Sequence, residues 1–105
     1  MGLLKVFWTE TAVFQRNCIF EYWNKRNGSD AYSSKLRLTI NNNIKLLRKY
    51  PELGRETDFG EHRTLIVGHF SLFYKITEDC IIITAFWDNR QDSKILLELL
   101  SARNH

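Results

Sequence analysis

A chain of 105 residues with 44% hydrophobic side chains has room for one core, so a single domain over 1–105 is expected. That composition excludes a disordered chain, and no stretch reaches the roughly 18 uncharged apolar residues needed to cross a bilayer. The net charge of +3 is unevenly placed, with nine basic and four acidic side chains over 1–53 against six and eight over 54–105.

Leu3 to Trp8 (LLKVFW) contains one polar residue and reads as a strand covered on both faces. It lacks the architecture of a signal peptide. Thr9 offers a hydroxyl where a helix should begin. From about Glu10 to Lys25 the apolar residues Ala12, Ile19 and Trp23 recur on one narrow arc, widened by Cys18 and Tyr22. Asn27-Gly28-Ser29-Asp30 breaks the pattern. Ser29 or Asp30 can cap a second helix, which runs to about Tyr50 and ends ahead of Pro51.

The second helix has two faces. Tyr32, Leu36, Ile40, Ile44 and Leu47 form an apolar arc of about 120°. Arg37, Lys45, Arg48 and Lys49 form an adjoining basic arc, and no carboxylate stands between Asp30 and Glu52. A solvated charged face is the ordinary explanation of such a stripe, but its lack of acidic residues suits an acidic partner or a phosphate backbone.

After Gly54 the period changes to two. Arg63, Leu65 and Val67 share one strand face, and Phe70, Leu72, Tyr74 and Ile76 share a face of the next. Glu78-Asp79 turns the chain into Cys80 to Trp87 (CIIITAFW), which is apolar on both faces and therefore belongs inside a sheet. Ser93 can cap a short apolar helix through Leu100. The order predicts an α+β domain, β-α-α-β-β-β, with two N-terminal helices packed on a small antiparallel sheet and a short C-terminal helix.

Catalytic motifs of known spacing are missing, as is any cysteine–histidine set suited to zinc. No metal or cofactor is expected. Cys18 and Cys80 read as buried free thiols in a reducing cytoplasm, and His62 and His69, flanking a strand, as surface residues. Arg55 follows the helix exit, Arg63 opens a strand and Arg90 follows the last one. Arg63 and Arg90 could converge with Tyr74 on one concave face and bind phosphate or carboxylate. Equally, they could pair with Glu61, Asp88 or Asp92 as structural ion pairs.

The string Arg63-x-Leu65-x-Val67-x-x-Phe70-x-Leu72-x-Tyr74-x-Ile76, then Ile81-Ile82-Ile83 and Phe86-Trp87-Asp88-x-Arg90-x-Asp92, resembles the RelE/ParE superfamily of type II toxin–antitoxin toxins. Val6, Trp8, Ala12, Tyr22, Ala31, Ile40, Leu47, Pro51 and Gly54-Arg55 agree in order, so the likeness covers roughly 4–92. It implies a growth-inhibiting toxin, a cognate antitoxin as partner in a hetero-oligomer, and a target that is either a protein such as DNA gyrase or messenger RNA on the ribosome. Arg55, Arg63, Tyr74, Trp87 and Arg90, with Lys45, Arg48 and Lys49 of the basic arc, are the expected target- or partner-binding residues. In a ribonuclease, Arg63 and Arg90 would be catalytic. The chain departs from the nuclease branch: Ser71 stands where an arginine is usual, Asp88 where a histidine is frequent, and Leu96 near the expected tyrosine. The resemblance therefore favours the ParE-like, protein-binding kind, with the endonuclease and a non-toxic degenerate relative as alternatives.

Overall fold

The structure is a computed structural model that describes residues 3–90. Strand β1 (Lys5–Trp8) leads into helix α1 (Glu10–Asn27). Thr9 caps that helix as its position predicts, its Oγ1 accepting a hydrogen bond from the Ala12 N–H at 3.1 Å and so satisfying one of the free donors of the first turn. The helix ends at Gly28, whose left-handed φ of 67° suits a residue without a Cβ. Helix α2 (Ala31–Lys49) follows and stops before Pro51. Neither predicted cap is strong: Asp30 occupies the N-cap without a side-chain bond, and the Ser29 hydroxyl meets the Ala31 N–H at 3.5 Å. Ser33 stabilises the helix turn instead, its hydroxyl donating 2.6 Å to Asn24 Oδ1 on α1.

Four further strands complete one sheet: β2 (Arg55–Glu56), β3 (Arg63–Val67), β4 (Phe70–Ile76) and β5 (Cys80–Asp88). Their order is β1-β5-β4-β3-β2. The α+β class and element order match the expectation, with two refinements. The short strand β2 is an addition, and β1 pairs with β5 in parallel, Val6 opposite Ile81 and Trp8 opposite Ile83, so the sheet is mixed. A parallel pair needs a long crossover, which α1, α2 and the hairpins provide.

The helices cover one sheet face. Ala12 and Phe20 of α1, with Leu36, Ile40 and Leu47 of α2, pack against Val67, Phe70, Leu72, Tyr74, Ile81, Ile83 and Phe86. Phe70 and Phe86 stack at 5.3 Å between centroids. A bulge shapes this face. Phe73 lies opposite Ala85 and Tyr74 opposite Ile83, so Thr84 is an extra residue on β5, and the alternation resets there. Ile81, Ile83 and Phe86 thereby all point at the helices. Phe73, Ala85 and Trp87, with the partly buried Phe59, form a second small cluster.

Several expectations are corrected. As an edge strand, β1 alternates and is not covered on both faces, leaving Leu3 and Phe7 exposed. In α1 the buried residues are Ala12 and Phe20, whereas Tyr22 is 55% exposed and Cys18 is exposed. The helix is turned so that Phe20 meets α2, which rolls the Cys18–Tyr22 side outward. Cys80 is only half-buried, because it sits at the open start of β5. His62, expected at the surface, is buried with its Nδ1 2.9 Å from the Phe59 carbonyl oxygen. The predicted helix from Ser93 to Leu100 lies outside the described residues, and so does Leu96. Among the described residues, no helix is long and apolar enough to cross a membrane.

Candidate binding site

The last turns of α1 face the exit of β5. Cys18, Tyr22 and Arg26 recur every four residues, as do Ile19 and Trp23, so all five lie on adjoining rows of one helix surface. Asp88 and Arg90 close the other side, and together these seven residues line a cleft of about 620 Å³. That size falls within the range of ligand and side-chain pockets.

Arg90 organises the cleft. Its Nε donates to Asp88 Oδ1 at 2.8 Å and its Nη2 to Oδ2 at 2.7 Å, while its backbone N–H also reaches Oδ1 at 2.9 Å. The guanidinium carbon stands 5.2 Å from the Trp23 centroid and 5.8 Å from that of Phe70, within cation–π range. The hydrogen bonds from Arg90 hold the Asp88 carboxyl below its usual range, against the opposing effect of its partial burial. The same pairing raises the Arg90 guanidinium above its ordinary value. The chain at the exit is fixed by Asn89, whose N–H donates to the His69 carbonyl at 2.9 Å and whose Oδ1 accepts from the Ser71 hydroxyl at 2.6 Å.

The aromatic wall continues from Tyr22, edge-on to Trp23 at 5.2 Å, to Tyr32 at 4.9 Å from Trp23. Arg26 stands 5.9 Å from the Trp23 ring, with no carboxylate within 4.0 Å among the described residues. The cleft thus presents aromatic faces, one neutralised guanidinium and one unneutralised one. This suits an apolar or aromatic side chain carried beside an acidic one. It is poor equipment for proton transfer, because a carboxylate held below its usual range is a weak base.

The predicted convergence of Arg63, Tyr74 and Arg90 is corrected. Arg63 lies opposite Tyr74 and Asp88, the partner of Arg90, opposite Phe70, so Arg63 and Asp88 stand at opposite ends of β4, roughly 13 Å apart along the strand at about 3.3 Å per residue. Tyr74 is buried; its hydroxyl donates to the Pro51 carbonyl and accepts from the Gly54 N–H, both at 2.8 Å. Burial pushes its phenol upward, partly offset by the Gly54 bond and the Arg63 charge. Arg63 Nη1 donates to the Gly54 carbonyl at 2.8 Å, and its Nη2 lies 3.6 Å from Glu56 Oε1 rather than from Glu61. Both side chains fasten the α2 exit to the sheet. Of the two readings of Arg90, pairing with Asp88 is the one observed.

The other named residues are scattered. Arg55 is exposed on β2, and Trp87 is 9% exposed in the second cluster. Lys45 and Lys49 are exposed on α2, whereas Arg48 is half-buried and donates from Nε to the Leu4 carbonyl at 2.8 Å, which makes it a clasp on β1. Tyr22, Trp23 and Arg26 were missed as site residues. Their four-residue spacing was visible, but a Tyr–Trp pair on a helix reads first as core.

A helical hairpin laid on one face of a mixed sheet, with its polar cleft at the β5 exit, is the frame of a small toxin of the kind the sequence resembles. The chain belongs to the ParE toxins of type II toxin–antitoxin systems, parDE, whose family model matches residues 6–93. A solved structure of the chromosomal ParDE toxin–antitoxin system from P. aeruginosa contains a similar chain, with a TM-score of 0.71 and 20% identity over 82% of this chain and 96% of that one. At that identity the likeness shows the fold. No curated protein matches the chain significantly.

Proposed function

We propose that this ParE-type toxin arrests growth by binding a protein target such as DNA gyrase through the Tyr22–Trp23–Arg26–Arg90 cleft, and that a cognate antitoxin neutralises it in a hetero-oligomer in the cytoplasm. The family match over 6–93 carries this reading. The state of the residues on which a ribonuclease would depend supports it. In-line attack by a ribose 2′-hydroxyl needs the phosphate charge neutralised and the leaving oxygen protonated. Arg63 is committed to backbone carbonyls, Tyr74 is hydrogen-bonded on both sides, and Ser71 bonds to Asn89 where the nuclease branch has an arginine.

The test is induction in cells, followed by mapping of messenger ends on ribosomes and by a supercoiling assay with purified gyrase. Growth arrest with intact messengers and inhibited supercoiling is the expected result. Codon-phased cuts that vanish in Arg90→Ala would establish the endonuclease reading instead.

A further inference from the structure

A second pair of arginines lies away from the cleft, where α1 and α2 meet beside β1. Arg16 on α1 stands 4.7 Å from the Trp8 ring centroid and 5.9 Å from that of Phe20. Arg37 on α2 stands 4.6 Å from the same Phe20. Two guanidiniums thus gather around one buried phenyl ring. Among the described residues, the hydrogen-bond acceptor of Arg16 is Asn17 Oδ1, at 3.3 Å from both Nε and Nη2. Neither arginine has a carboxylate within 4.0 Å among the described residues. The arrangement is costly, since burial and the neighbouring Arg37 charge both hold the Arg16 guanidinium below its ordinary value. Like charges brought together without a counter-ion are relieved by an anion between them.

We propose that Arg16 and Arg37 form a carboxylate-binding site for an acidic peptide segment of a protein partner. Phe20 and Trp8 lie within cation–π reach of the guanidiniums, and Arg37 makes no hydrogen bond among the described residues, so its fork is open to receive a carboxylate bidentately beside the Arg16 charge. A nucleic-acid strand is the weaker fit, because single-stranded bases need open aromatic faces to stack on. Here Phe20 is buried and Trp8 half-buried, and the guanidiniums already occupy their rings. The carboxylate-free stretch from Asp30 to Glu52 extends the same preference along α2, past exposed Lys45 and Lys49. The site deepens the partner reading above and rests on it for the partner's biological identity.

The experiment titrates the full-length protein with fluorescein-labelled octaglutamate and, separately, with labelled octauridylate, following anisotropy at low and moderate salt. Arg37→Gln should weaken octaglutamate binding about tenfold or more, the loss of a charge-assisted hydrogen bond. Because Arg37 is exposed, its melting temperature should hold. Lys25→Ala, which removes the same charge from the far end of α1, should change affinity less than about twofold under that screening. Equal losses in the two variants, or none in Arg37→Gln, would overturn the site. Preferential binding of octauridylate that Arg37→Gln abolishes would overturn the peptide in favour of RNA. Failure of the toxin reading shows elsewhere, as growth unaffected by induction.

Discussion

The two ends of strand β4 carry similar side chains and do different work. At the Tyr74 end, Arg63 and the phenol are consumed by the backbone of the α2 exit, binding Pro51, Gly54 and Glu52. At the Phe70 end, Arg90 and the aromatic residues Tyr22 and Trp23 line an open cleft. In both places an arginine stands beside aromatic rings. What separates a fastening from a site is whether nearby backbone groups use up the polar atoms. Buried N–H and C=O groups demand partners, and a loop tucked under the sheet edge supplies that demand, whereas the end of β5 faces solvent.

The sharpest way to break this contrast is at Gly54. A Cβ there would lie 2.5 Å from Tyr74 Oη, 2.7 Å from its Cε1 and 2.8 Å from the Thr64 carbonyl oxygen. The last of these is backbone and cannot move aside cheaply. Gly54→Ala should therefore destabilise the fold by about 3 kcal/mol, lowering the thermal midpoint by roughly 10 °C or more. A variant that melts like the wild type would mean that this end is not fastened as described.

Tyr74→Phe should have the next largest effect. It strips the partner from the Gly54 N–H and the Pro51 carbonyl, at about 1–3 kcal/mol, measurable by urea denaturation. The pH dependence carries a sign. The folded-state phenol is raised above its ordinary value, so its contribution is fully present below the unfolded value, about 10, and is lost as pH rises through the folded one. Wild-type stability should fall on the alkaline side, and Tyr74→Phe should flatten that limb.

Arg90→Ala should have the smallest effect on stability and a large one on activity. Arg90 is exposed and its bond to Asp88 is open to solvent screening, so denaturation curves should nearly overlay while growth arrest is lost. In the same variant the Asp88 carboxyl, now held low first by its Arg90 hydrogen bonds, should rise toward the usual carboxylate range in an NMR titration. A depressed carboxyl stabilises above its unfolded value and loses that contribution as pH falls through the folded one. Any stability gap between wild type and Arg90→Ala should therefore close in acid. Full toxicity in the variant would move the working site away from the cleft.

Local pattern determined much of this molecule. The Thr9 cap, the break at Gly28, the stop before Pro51 and the buried row Leu36–Ile40–Leu47 follow from the helical period and from backbone groups that need partners nearby in sequence. The strands from Arg63 to Trp87 follow from alternation. The tertiary structure decided what depends on distant segments: β1 alongside β5 in parallel, the bulge at Thr84 that sends Phe86 inward and Trp87 outward, and Arg48 on the Leu4 carbonyl. It also decided that Arg63 and Arg90 stand apart and that Tyr22 and Trp23 line a cleft instead of a core. Alternation states which face a side chain occupies, but not which strand lies beside it or at which end. Register and helix roll are set by packing between elements, and the placement of every arginine follows from them.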